Sequence, residues 1–177
     1  MVRPELPGTL DWVPIHDALD LLAPAVAQAI PPSEAFAAAI DPTLADTATF
    51  CEEYGVGLEA SANCVIIEAR RGDATTMAAV MVRATDRADV NKTIRKHLGA
   101  RKVSFAPMES ATSLTGMEYG GITPIGLPQT WPILVDQELI TDRWFVIGSG
   151  SRASKITIPG EALASLPGAQ VLDLRVE

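Results

Sequence analysis

Residues 115–128 read TGMEYGGITPIGLP, with four glycines and two prolines set between segments of ordinary strand and helix patterning. Glycine admits backbone conformations closed to other residues and lets a ligand approach the main chain, while proline stiffens the turn it occupies. Such a stretch predicts a preformed pocket wall rather than a plain connector. The elements on either side of it must then come together around one cavity.

Those elements can be read from periodicity. Upstream, residues 63–70 (NCVIIEAR), a turn at Arg71-Gly72-Asp73 and residues 76–85 (TMAAVMVRAT) have the pattern of a β-hairpin. A strand at residues 103–106 and a short helix at residues 108–114 lead into the loop. Downstream, residues 131–139 (WPILVDQEL) predict a buried strand ending in an acid, residues 144–150 (WFVIGSG) a strand running into a second glycine turn, and residues 154–158 (SKITI) a short β segment. Near the start, Ile15, Leu19, Leu22, Val26 and Ile30 recur at helical spacing, with Asp17 and Asp20 early and Pro31-Pro32 after the end, which predicts one amphipathic helix. Residues 33–55 are alanine-rich and broken at Asp41-Pro42, so two short pieces are expected. The second is a helix over about residues 43–54 that covers the core or shapes one wall of the pocket. Strands outnumber helices after residue 63 and cluster in hairpins. The expected architecture is therefore α+β, a mixed, mostly antiparallel curved sheet or partial β-barrel with helices packed around it.

With 177 residues, 47% of them hydrophobic, the chain suits one domain with one sizeable core. The longest apolar runs are too short to cross a bilayer, and prolines and acids interrupt the first residues where a signal peptide needs an apolar run. The expectation is a cytoplasmic protein with no membrane partner. Cys51 and Cys64 lack CxxC or Cys/His spacing and read as small buried hydrophobes, so no metal is expected.

The formal net charge of −8 argues at first against a nucleic-acid partner, but the basic residues are clustered. Seven of the fourteen lie between Arg83 and Lys102, against Asp86 and Asp89 only. Within that segment Val90, Ile94 and Leu98 form one apolar stripe and Gly99 stands where a helix would end, which turns Lys92, Arg95 and Lys96 outward. This face is either a phosphate-binding surface or a solvated helix face. His97 beside it has no Ser or Cys partner and reads as a surface histidine.

No Ser/His/Asp or Cys/His set, HExxH motif or phosphate-binding P-loop occurs, so no side-chain nucleophile or nucleotide cofactor is indicated. What remains is backbone chemistry. Gly120, Gly121, Thr123 and Pro124 combine potential N–H donors with pocket shape, and Gly148, Ser149 and Gly150 would line the facing wall or form a simple hairpin turn. Asp136 either binds an α-ammonium group or caps the turn after it, and Thr115 either contacts a ligand or caps the turn before Gly116. Trp131 and Trp144 adjoin apolar runs and read as core anchors.

The order TG, GGxxPxG, apolar strand with Asp, strand with GSG and short β segment resembles the YbaK/prolyl-tRNA synthetase-associated domain family over about residues 59–174. The resemblance implies a mixed β-barrel-like core at residues 59–174; residues 1–58, from their own patterning, are expected to form an N-terminal helical extension packed on it. The resemblance also implies trans-editing hydrolysis of the ester of mischarged aminoacyl-tRNA without a cofactor. Aminoacyl-tRNA would be the partner, a synthetase a further one, and DNA none. In such a site the loop at Gly120, Gly121 and Pro124 seats the terminal adenosine and ester, and a ribose hydroxyl of the tRNA helps activate the water. The family's deacylases carry a lysine on the strand that opens the domain; this chain has Asn63 there. An amide donates hydrogen bonds but supplies no unit charge. Either Lys155 or Arg152 replaces the charge, or the substrate differs, or the site binds aminoacyl-tRNA, a nucleotide or an amino-acid-like ligand without hydrolysing it. A module that docks a protein partner through its acidic surface and N-terminal segments is a further reading.

Overall fold

The computed structural model describes residues 4–176. In chain order it contains β1 (Val13–Pro14), 3-10 turns at Ile15–Asp17 and Leu19–Leu21, α1 (Pro24–Gln28), β2 (Phe36–Ala39), a 3-10 turn at Pro42–Leu44, α2 (Thr47–Tyr54) and a 3-10 turn at Leu58–Ala60. The hairpin β3 (Ala62–Arg71) and β4 (Ala74–Arg83) follows, then a π turn at Val90–Ile94 running into α3 (Arg95–His97), β5 (Lys102–Phe105) and α4 (Met108–Thr115). The last part holds β6 (Ile133–Asp136), a 3-10 turn at Gln137–Leu139, β7 (Trp144–Gly148), β8 (Ser154–Pro159), α5 (Gly160–Leu163) and β9 (Ala169–Leu172).

The strands form two sheets. One is antiparallel in the order β1-β2-β8-β7; the other runs β5-β3-β4-β6-β9, antiparallel across β5, β3 and β4 and parallel from β4 through β6 to β9. The α+β, mostly antiparallel architecture matches the expectation. The sheets meet at a parallel bridge between Ser61 and Val146 without closing into a barrel.

Strand alternation places the core. Ile66, Ala79, Met81, Ile133 and Val135 point from the five-stranded sheet toward Phe145, Ile147, Ile156 and Ile158 of the other. The opposite face, with Ile67, Val80, Val82 and Leu134, is covered by Val90, Ile94 and Leu98. Thus the apolar stripe of the basic segment does face a core, and Gly99 ends the helical stretch with φ 62°. α2 seals the outer face of the four-stranded sheet, where Phe50 and Cys51 pack with Trp12, Ala38 and Val146.

The N-terminal segment departs from its reading. In place of one helix from Ile15 to Ile30 there are two 3-10 turns and the five-residue α1. Ala23 is extended (ψ 147°) because the residue before a proline is pushed out of the α region, Leu22 before it is extended as well (ψ 154°), and Pro24 then starts α1 at a position needing no N–H. Residues 13–14 and 36–39 of the stretch read as a helical extension are strands of the four-stranded sheet, with β2 hydrogen-bonded between β1 and β8. Among the described residues no helix is long and apolar enough to cross a membrane.

Candidate functional site

A cavity of about 400 Å³ opens along the outer edge of β3. β5 pairs with β3 only from Ile67 onward, and β7 is bridged to this part of the chain only at Ser61, just before β3, so the edge between them is left to the cavity. The carbonyl of Ile66 accepts the Ala106 N–H on this edge at 2.9 Å. Since a strand alternates with period two, Cys64 turns its own N–H and C=O toward the same edge, beyond the reach of β5. The cavity therefore has a strip of main chain along one wall.

The glycine loop forms the opposite wall, and its wiring explains its composition. Gly121 donates its N–H to Glu118 O (2.9 Å) and accepts the Gly150 N–H (2.6 Å), while Glu118 N–H donates to Gly150 O (2.9 Å). The loop and the GSG turn are thus one tied unit. Gly148 lies so close to it that a Cβ there would stand 2.5 Å from Gly121 O and 2.6 Å from Ile122 O. Among the described residues, no hydrogen bond takes up the N–H of Gly120 or Ile122, both of which line the cavity.

Of the residues singled out from sequence, Asn63, Gly120 and Gly148 line this cavity. Gly121, Ser149 and Gly150 stand behind its wall. The Ser149 hydroxyl pairs with Ser154 Oγ at 2.7 Å and accepts Ser151 N–H at 3.2 Å. Thr123 and Pro124 are buried where the loop turns into the core, and Thr123 Oγ1 has no hydrogen-bond partner among the described residues. Thr115 donates to Ala111 O (2.6 Å) and accepts Met117 N–H (3.2 Å), closing α4. Asp136 lines no part of the cavity: it is fully buried and accepts the Leu174 N–H at 2.9 Å, with Arg175 Nε at 3.7 Å. Its burial raises its pKa against the pull of Leu174 and Arg175. Trp131 is buried in the core and Trp144 packs edge-on against Phe36, ring centroids 5.8 Å apart. Lys92, Arg95 and Lys96 are exposed on the helical stretch that covers the sheet face away from the cavity.

Several lining residues escaped the sequence reading. Asp46, Thr47 and Phe50 reach the cavity from α2 and its cap, and Thr47 Oγ1 donates to Asn63 Oδ1 at 2.9 Å. Phe105 and Tyr119 stand exposed at the rim. Cys64 lines the cavity as well, and burial pushes its thiol up to about 12, so it is a neutral surface and not a thiolate nucleophile near pH 7. An acidic N-cap ahead of a helix, as at Asp46-Thr47, is a legible signal; its packing against β3 is not. Lys155 is 7% exposed, donates from Nζ to Ala45 O at 3.0 Å and sits 5.2 Å from the centre of the Phe50 ring. Arg152 spends its guanidinium on Tyr119 O (3.0 Å) and Pro42 O (3.2 Å), with Asp46 at 3.9 Å.

Among the described residues no group of three or more His, Cys, Asp or Glu is placed to hold a metal ion. The arrangement offers an apolar-to-polar cleft, main-chain donors on two walls and one buried ammonium. It suits binding a carbonyl compound whose oxygen gains negative charge during reaction.

Comparison with known proteins places this cavity in a family context. The sequence model of the aminoacyl-tRNA editing domain family matches residues 41–166, which include both walls. A protein of Enterococcus faecalis (strain ATCC 700802 / V583), provisionally named Cys-tRNA(Pro)/Cys-tRNA(Cys) deacylase EbsC, is 26% identical over 83 residues, covering 47% of this chain and 51% of that protein. The match thus spans about half the length of that relative. The crystal structure of a protein provisionally described as a trans-editing enzyme for prolyl tRNA synthetase superposes with a TM-score of 0.73 at 18% identity, over 88% of this chain and 99% of the other. That of a hypothetical protein superposes with a TM-score of 0.66 at 23% identity, over 73% and 83%.

Proposed function

The chain belongs to the aminoacyl-tRNA editing domain family, and from that premise we propose that it hydrolyses the ester of mischarged aminoacyl-tRNA in trans. The observation that carries this reading is the meeting, in one cavity within the matched stretch, of the unoccupied N–H groups of Gly120 and Ile122 with the open edge of β3 at Cys64. The ester carbonyl docks against these donors, which stabilise the oxyanion formed when water adds to it. Collapse of that adduct breaks the bond to the ribose oxygen, which leaves with a proton, releasing the free amino acid and uncharged tRNA. The one carboxylate among the described lining residues, Asp46, is exposed and lies 3.9 Å from Arg152, so in this reading the substrate's neighbouring ribose hydroxyl orients the water, as the family resemblance implies.

Gly121, Pro124, Thr123, Thr115, Ser149 and Gly150 act in this reading by holding the donor loop in place, and Asn63 with Thr47 as a polar contact on the facing wall. Lys92, Arg95 and Lys96 meet phosphates of the tRNA body. The partner is aminoacyl-tRNA, with a synthetase as its source, and the compartment is the cytoplasm. Asn63 favours a second reading, a module that binds aminoacyl-tRNA, a nucleotide or an amino-acid-like ligand without turnover, because a neutral amide tied to Thr47 stands where the family's deacylases place a charge.

Single-turnover hydrolysis of a panel of mischarged aminoacyl-tRNAs, with Asn63→Lys run in parallel, separates the two. Selective hydrolysis by the native protein is expected. Activity confined to Asn63→Lys would put the binding module first.

A further inference from the structure

We propose that Lys155 on β8 is the phosphate anchor of this cavity, holding the phosphate group 5′ to the terminal adenosine of the substrate from the wall that faces Asn63. The inference deepens the deacylase reading and shares its substrate class, but its test is a binding measurement that stands whether or not turnover occurs.

Lys155 is the only Lys or Arg among the described residues that line the cavity. Its ammonium is buried, one of its three protons is used on Ala45 O, and no carboxylate lies within 4.0 Å of it among the described ion pairs. Its direct contacts are a carbonyl and an aromatic ring, and Asp46 acts on it only from beyond ion-pair distance, so it lacks the close anionic partner that normally compensates such burial. Two N–H donors remain for a ligand, and the cavity beside them is open.

Geometry also chooses between the two cations near the GSG turn. The Arg152 fork is occupied by Tyr119 O, Pro42 O and Asp46, so it braces the loop against the segment before α2. Lys155 has donors to spare and lines the cavity. Asn63, bound to Thr47 across the way, adds polarity without charge. A phosphodiester group fits the missing partner: it is anionic throughout the working pH range, and it occurs next to the terminal adenosine of every aminoacyl-tRNA.

Burial lowers the pKa of Lys155; Cys51 and Asp46 oppose this and Arg152 adds to it. The phosphate-dependent part of the affinity is therefore largest at low pH and fades as pH rises through the lowered pKa.

The test uses a non-hydrolysable 3′-amide analogue of aminoacyl-adenosine, with and without a 5′-phosphate, bound to the intact protein. The native protein should hold the phosphorylated analogue about ten- to a hundredfold more tightly than the other, the range expected of a charge-assisted hydrogen bond. Lys155→Met should erase that difference while leaving the phosphate-free analogue unchanged. The double variant Asn63→Lys/Lys155→Met should restore it, a rescue that a merely structural lysine would not permit. Methionine is unbranched and apolar, and an unchanged unfolding midpoint checks that the variant is folded. An equal loss for both analogues, or an unchanged difference in Lys155→Met, would overturn the assignment. If the analogue binds as described but no aminoacyl-tRNA is hydrolysed, the deacylase reading fails and the anchor stands.

Discussion

Replacing Gly148 by alanine tests whether the glycine loop is the working wall. The new Cβ would lie 2.5 Å from Gly121 O and 2.6 Å from Ile122 O, both main-chain atoms that cannot swing aside. Reaching ordinary contact at 3.4 Å requires the loop to retreat by roughly 0.9 Å, and the loop carries the free N–H groups of Gly120 and Ile122 with it. Overpacking of this kind costs about 1–3 kcal/mol, which for a domain of this size is a fall in unfolding midpoint of about 2–12 °C. Displacement of positioning groups by about 1 Å costs on the order of 10²-fold in rate. The control is Gly116→Ala: φ there is 69°, so the left-handed backbone costs about 1–2 kcal/mol, but a Cβ meets nothing within 4 Å. The two variants should lose similar stability, and Gly148→Ala alone should lose single-turnover hydrolysis, measured well below both midpoints. A native rate in Gly148→Ala, or an equal loss in Gly116→Ala, would refute the loop's role.

Other expectations follow from the same structure. Asp136 has a raised pKa, so its favourable contribution is complete below its unfolded value of 3.8 and is lost as pH rises through the folded value. The native protein's midpoint advantage over Asp136→Asn should be largest below pH 3.8 and shrink as pH rises above it; an advantage that grows with pH would contradict the burial argument. The Cys64 thiol, at about 12 against 9.0, should react with iodoacetamide at pH 8 on the order of 10³-fold more slowly than an ordinary cysteine. Changing Lys92, Arg95 and Lys96 together to alanine should weaken tRNA binding and flatten its salt dependence by up to about 2–3 in the log–log slope. It should leave hydrolysis of a minimal aminoacyl-adenosine untouched, because these side chains lie over the opposite sheet face.

The hairpin of β3 and β4 was legible because Ile66 and Ile67, or Ala79 and Val80, must alternate between two buried faces, and period two survives any tertiary context. The stripe from Ile15 to Ile30 was legible as apolar but not as structure: Pro24 overrides helical spacing, and the same residues reach the core from short turns. β2 was hidden because Ala37, Ala38 and Ala39 carry no strand signal of their own, and only pairing with β1 and β8 makes the strand extended. Asp136 looked like a site residue because an acid ending an apolar strand beside a glycine loop has few other readings in one dimension. Its partner, the Leu174 N–H, lies 38 residues away.

The same contrast explains which half of the site could be anticipated. Gly121 and Gly148 announce themselves because close main-chain approach excludes every other residue type, and Gly120 because its φ of 85° favours glycine, so the constraint is written at the position that bears it. The facing wall is made by what is missing, since β5 begins pairing only at Ile67 and β7 leaves after Ser61; no residue type marks an unpaired edge. Charge behaves in the second way. Lys155 sits in an alternating strand whose neighbours Ile156 and Ile158 are core, and a lysine there has the sequence signature of a solvent-facing position. Folding instead packs Phe50 of α2 against it, takes one of its donors for Ala45 and sets the side chain in the cavity lining. A neutral Asn63 on one wall and a buried ammonium on the other are therefore one observation about the site, and exchanging their charges between walls tests it more sharply than deleting either alone.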